Sequence, residues 1–170
     1  MKDDEQQAPT VTVTTPTDRE IHVERVFDAP RDRVFAAFTD PKLIPEWWGP
    51  TTVVDQMDVR TGGSWRFVAQ NADGSEIAFR GNYREVTPPE RIVQTFEMEG
   101  PWGNAHVETA TFEEMGDRTK FTTTLLFDTT EERDGVLTHG GERGMNESYA
   151  RLDALLARLA GGAADAGASS

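Results

Sequence analysis

The stretch GERGMNESYARLDALLARLA, residues 141–160, decides the fold. Met145, Tyr149, Leu152, Leu155, Leu156 and Leu159 recur at three- and four-residue intervals and fall on one side of an α-helix, while Glu147, Arg151, Asp153 and Arg158 occupy other faces. Gly161-Gly162 predicts the helix stop, because glycine favours the backbone conformation that ends a helix. One long amphipathic helix at the end of a chain has a single apolar stripe to bury, so the rest of the chain must supply the surface that receives it.

That surface is written upstream with a different period. Ile21, Val23, Arg25 and Phe27 alternate with His22, Glu24 and Val26, the two-residue repeat of a strand with one buried face. Six further strand-like runs cover residues 53–59, 64–70, 76–86, 91–99, 106–113 and 120–127. Turn residues join them: Thr61-Gly62-Gly63, Asn71-Ala72-Asp73-Gly74, Thr87-Pro88-Pro89-Glu90, the segment 100–103 and Gly116-Asp117. Links this short make consecutive strands antiparallel neighbours. Between the first and second strands, Pro30 suits a first helical turn and Val34, Ala37 and Phe38 follow at helical spacing until Pro41; a second short helix is read through Trp48. The predicted architecture is α+β: a curved antiparallel sheet of about seven strands wrapped around a long C-terminal helix, with two short helices after strand one.

Composition sets the outer bounds. A chain of 170 residues, 36% hydrophobic and 28% charged, fits one domain, read here as residues 18–160. Residues 1–17 are polar and contain Pro9 and Pro16, and residues 161–170 run out in small side chains, so both are predicted to be disordered tails. No repeat period is visible. The absence of cysteine removes disulfides, thiolate metal sites and thiol nucleophiles. A formal charge of −13 opposes binding to nucleic acid and to anionic lipid surfaces, since both rely on clustered Lys and Arg. No apolar run approaches the roughly 18 residues of a membrane span, and Met1-Lys2-Asp3-Asp4-Glu5 lacks the features of a secretory signal, so a cytoplasmic location is the expectation.

Several segments, taken together, resemble a known family. These are Arg25-Val26-Phe27-Asp28-Ala29-Pro30, the helix from Val34 to Pro41, and Leu43-Ile44-Pro45-Glu46-Trp47-Trp48-Gly49-Pro50. Further along come Gly62-Gly63-Ser64-Trp65-Arg66-Phe67, Gly81-Asn82-Tyr83-Arg84-Glu85-Val86 with Pro88-Pro89-Glu90-Arg91-Ile92, and Gly144-Met145-Asn146-Glu147-Ser148-Tyr149. In this order they resemble the START-related, Bet v allergen-like (SRPBCC) superfamily, in its heat-shock-protein-90 ATPase activator homologue-like branch, over roughly residues 19–160. The resemblance implies a helix-grip fold with an internal hydrophobic cavity, usually without cofactor or metal. It implies no single activity, because branches of the superfamily bind lipids, hormones or polyketides, catalyse cyclisation or hydrolysis, or stimulate a chaperone ATPase. Met145 departs from the pattern, since many members carry tryptophan there.

The candidate cavity residues are Phe38, Trp47, Trp48, Phe67, Phe79, Tyr83, Phe96, Trp102, Phe121, Met145, Tyr149 and Leu152. Trp47 and Trp48, adjacent at a helix end, point in different directions, so one of them either seals the open end of the sheet or lines a ligand mouth. The aromatic residues at strand spacing serve as core or as cavity wall, and the Tyr149 hydroxyl takes its partner from a strand carbonyl, water or a ligand. Arg25 and His106 are possible polar anchors, although Arg25, on the buried face of the first strand, equally suits an ion pair with an acid. Glu97, Glu99, Glu108, Glu113 and Glu114 read as a solvated sheet face.

Catalytic and metal signatures are missing. Ser64, Ser75 and Ser148 stand in no nucleophile motif, and His22-Val23-Glu24 and the pair His139 and Glu142 lack further ligands, so no catalytic residue, metal or cofactor is assigned. The functional expectation is noncatalytic binding of a small hydrophobic or amphipathic molecule. A co-chaperone-like protein partner and a cavity enzyme of the polyketide cyclase type are the alternatives, and monomer and dimer both stay open.

Overall fold

The computed structural model describes residues 10–100 and 105–169. Its strands are β1 (Thr12–Thr14), β2 (Glu20–Phe27), β3 (Val53–Met57), β4 (Ser64–Gln70), β5 (Glu76–Thr87), β6 (Arg91–Met98), β7 (His106–Met115) and β8 (Arg118–Leu126). The helices are α1 (Arg31–Thr39), α2 (Ile44–Trp47), α3 (Thr130–Thr138) and α4 (Gly141–Ser169). All strands join one antiparallel sheet in the order β1-β2-β8-β7-β6-β5-β4-β3. Consecutive strands from β3 to β8 are neighbours, as short turns require; only β2 pairs out of sequence, with β8. The result is the α+β helix-grip arrangement: a long sheet with α4 packed across its concave face and α1 and α2 at one end.

The residue periods explain the faces. In β2, Ile21, Val23, Arg25 and Phe27 are buried and the intervening residues are not, so alternation sends every second side chain toward α4. Tyr149, Leu152, Leu155 and Leu156 form the buried stripe of α4. Phe27, Phe35, Phe38, Phe112, Phe121 and Tyr149 join sheet, α1 and α4 through ring contacts 4.9–5.9 Å apart. Thr119, fully buried on β8, donates from Oγ1 to the Ala29 carbonyl at 2.7 Å, which fixes the turn into α1. In the turns before β4 and β8, Gly62 and Gly116 hold φ of 91° and 63°, a region other residues rarely adopt.

Three features depart from the sequence expectation. Residues 1–17 were predicted to be a tail, but Thr12–Thr14 pair with β2, Val11 is buried, and its N–H donates to Asn146 Oδ1 at 2.9 Å. An edge strand needs only one neighbour, and a single buried valine anchors this one; residues 1–9 lie outside the described residues. Helix α4 was predicted to stop at Gly161, and its backbone runs on to Ser169. Helix α3 was not anticipated: it has no buried residue and therefore no apolar period to read, although Thr129 caps it, its side chain accepting from the Glu132 N–H at 3.1 Å.

Candidate ligand-binding cavity

Between the sheet and α4 lies a cavity of about 640 Å³. Its apolar end is a cage of aromatic rings. Trp48 meets Phe67 and Phe79 edge-on, each at 5.1 Å, and Phe96 at 6.2 Å; Trp65 packs beside Phe67 and Phe96. These rings come from the residue that follows α2 and from β4, β5 and β6, brought together because inward positions on adjacent strands line up: Phe67 pairs with Phe79, and Phe79 with Met98. Met145, Gly141 and Gly144 of α4 complete the wall, and the exposed His139, Gly140 and Gly144 mark where it meets solvent. A second hollow, on the outer face of α4 and lined by Glu142, Arg143, Asn146, Glu147 and Ala150, has no aromatic wall.

The opposite side is polar. One inward row crosses four strands as Tyr83, Gln94, Glu108 and Leu125, and the row beside it sets Ile92, Ala110 and Thr123 in line. His106, two residues before Glu108 and on the same face, is stacked 5.1 Å from Phe96 and tilted against Phe127 at 4.7 Å, and its Nε2 lies 2.9 Å from Glu108 Oε2. From α4, Tyr149 and Ser148 also reach the wall. Burial pushes the Tyr149 hydroxyl above its ordinary value, the Glu108 charge adds to that and Arg25 opposes it, so the group remains an O–H donor. Tyr83, also buried, is displaced in the same direction by burial and then by Asp58.

Of the residues singled out from sequence, Phe38, Trp47, Trp48, Phe67, Phe79, Tyr83, Phe96, His106, Phe121, Met145 and Tyr149 all line this cavity. Trp47 and Trp48 do diverge. Trp47 is buried and donates from Nε1 to the Ala37 carbonyl at 2.9 Å, whereas the half-buried Trp48 turns into the aromatic cage. Leu152, nearly a helical turn beyond Tyr149, is fully buried in the core and is not among the residues that line the cavity. Arg25 forms a bidentate pair with Asp153 of α4, at 2.9 and 2.6 Å, and is not among the residues that line the cavity. Trp102 lies outside the described residues.

Glu108 was expected on the solvated face and instead points inward. The signal for it was present: His106-Val107-Glu108 has the same spacing as His22-Val23-Glu24, and a strand places both ends of such a triplet on one face. Arg151 was also missed. It reaches from α4 to the Trp47 carbonyl at 3.0 Å and the Trp48 carbonyl at 3.4 Å, holding the end of α2 against the terminal helix. No sequence pattern announces a bond between residues this far apart. Among the described residues no three His, Cys, Asp or Glu side chains gather as metal ligands, and no helix is long and apolar enough to cross a membrane.

The family model described as "Activator of Hsp90 ATPase homolog 1-like protein" matches residues 28–157. Among solved structures, a Rhodobacter sphaeroides protein shares 23% identity over 88% of this chain and 99% of its own, with a TM-score of 0.79. A Mycobacterium smegmatis protein matches at 24% identity over 88% of this chain and 99% of its own, with a TM-score of 0.78. One from Chromobacterium violaceum reaches 28% over 80% of this chain and 96% of its own, with a TM-score of 0.68. No match was found among curated proteins.

Proposed function

The chain belongs to the Activator of Hsp90 ATPase homolog 1-like family, and from that premise and the geometry of the cavity we propose that it holds a small hydrophobic or amphipathic molecule without transforming it. The observation that carries this reading is the aromatic cage of Trp48, Phe67, Phe79 and Phe96 around a volume of about 640 Å³, within the size range of small-molecule sites. A core built only for stability closes to crystal-like density, whereas this one keeps a hollow beside its largest side chains. The protein acts, in this reading, in the cytoplasm. Native mass spectrometry of the purified protein is the test: a low-mass species that leaves on denaturation supports it. A bare protein that also fails to take up N-phenyl-1-naphthylamine, a neutral hydrophobic dye, refutes it.

A second reading, a cavity enzyme of the polyketide cyclase type, draws on the His106–Glu108 pair, a base and an orienting carboxylate at 2.9 Å inside an apolar site. Arg25 pairs with Asp153 and is not among the residues lining the cavity, which weighs against it. A regulatory role toward a chaperone rests on the family description alone, and a pull-down with a chaperone together with an ATPase assay would test it.

A further inference from the structure

We infer that the molecule this cavity accepts carries a head group that donates a hydrogen bond and bears no negative charge, a hydroxyl fitting best, and that carboxylates are excluded. The inference rests on the binding reading above and adds to it the chemistry of the ligand's polar end.

The polar side of the cavity includes Gln94, His106, Glu108, Thr123, Ser148 and Tyr149. Among the described lining residues Glu108 is the one carboxylate and neither Lys nor Arg is present; the basic side chains are the imidazoles of His106, 2.9 Å from Glu108, and of the exposed His139 at the mouth. The buried Arg25, outside the lining, pairs with Asp153. A ligand carboxylate placed on this surface would therefore face a like charge in a largely apolar, part-buried site, where such a juxtaposition is more costly than in bulk solvent. A fatty-acid-like head is disfavoured on that ground.

Hydrogen-bond inventory selects further. Glu108 engages His106 through Oε2, and among the described residues Oε1 has no partner, so a carboxylate acceptor remains for a ligand donor. The Tyr149 hydroxyl, on the facing helix, likewise forms no hydrogen bond among the described residues. A ligand hydroxyl satisfies both, donating to Glu108 and accepting from Tyr149, whereas an ammonium meets the first and leaves the second without an acceptor. The apolar skeleton then extends toward Trp48 and Phe96, at the other end of the same cavity.

Three probes with one ring system test this: 2-naphthol, 2-naphthoate and naphthalene, titrated calorimetrically into the full chain at pH 7, where the naphthol is neutral and the naphthoate ionised. The expected order is naphthol, then naphthalene, then naphthoate, with naphthol about tenfold or more tighter than naphthoate. Glu108→Gln, which keeps shape and removes charge, is expected to shrink that ratio several-fold by improving naphthoate. Naphthoate binding as tightly as naphthol to the wild-type protein overturns the inference whatever the variant does. A ratio that Glu108→Gln leaves unchanged, in a variant that still takes up N-phenyl-1-naphthylamine, also overturns it. If no probe and no dye binds the wild-type protein, the binding reading itself falls, an outcome distinct from dye uptake with the wrong preference.

Discussion

Replacing Tyr149 with phenylalanine separates what the ring does from what the hydroxyl does. The ring lies edge-on to Phe27 at 5.5 Å and to Phe121 at 5.8 Å, and 6.2 Å from Trp47, all of which Tyr149→Phe retains. The hydroxyl forms no hydrogen bond among the described residues, so its removal is expected to change stability at pH 7 by less than about 1 kcal/mol in either direction. Tyr149→Ala, which empties a position only 7% exposed, is expected to cost about 3–5 kcal/mol. Alkaline pH supplies a second arm. Burial, and then the Glu108 charge, hold the folded-state value above the ordinary 10.0, so the contribution is fully present below pH 10. Above that, the unfolded chain releases its phenolic proton while the folded one keeps it, and stability falls by up to about 1.4 kcal/mol per pH unit for each such tyrosine. Tyr83 behaves in the same sense, so the wild type has two contributing groups and Tyr149→Phe one. Urea unfolding at pH 7 and near pH 11 reads both effects. A loss above about 2 kcal/mol for Tyr149→Phe at pH 7, or an undiminished alkaline slope, would refute the reasoning, because the hydroxyl would then be a structural group.

Other substitutions probe the frame around the cavity. Arg151→Met frees the Trp47 carbonyl, leaves the Trp48 carbonyl with Ser148 Oγ alone, and is expected to cost about 1–3 kcal/mol in urea unfolding, with weaker dye uptake as α2 loosens. Trp47→Ala, removing a 4% exposed ring and its bond to Ala37, is expected to cost about 3–5 kcal/mol. Trp48→Ala should cost less in stability but more in dye affinity, a contrast that fluorescence titration and thermal melts measure side by side. Gly81→Ala would place a Cβ 1.9 Å from the Thr95 carbonyl oxygen and 2.6 Å from Trp65 Nε1, and since backbone must yield, soluble folded protein is expected to be lost or its melting temperature sharply lowered.

The parts of the fold that depend on a repeating period were readable before any coordinates. The alternation of Ile21, Val23, Arg25 and Phe27 gave β2 its buried face, and the stripe from Met145 to Leu156 gave α4 its inner side. Most cavity aromatics were legible for the same reason, because inward positions of neighbouring strands converge once the sheet curves. What sequence concealed was pairing at long range. Nothing local tells that Asp153 meets Arg25 or that Arg151 bonds carbonyls about a hundred residues earlier, since each depends on how α4 is seated. Short or unpatterned elements were lost too: β1 has three residues, and α3 buries none. Glu108 is a different case, a charged residue assigned outward by residue type when its register with His106 pointed in.

A hollow that takes up a hydrophobic guest between sheet and α4 is the claim on which the rest stands. Its most direct test is intermolecular nuclear Overhauser spectroscopy on methyl-labelled protein with one equivalent of N-phenyl-1-naphthylamine. Cross-peaks from the dye to the methyl groups of Met145, Leu125 and Ile92, all cavity-lining, are the predicted result. Cross-peaks confined to the exposed Val53, Met115 and Leu126, or none at all, would contradict it.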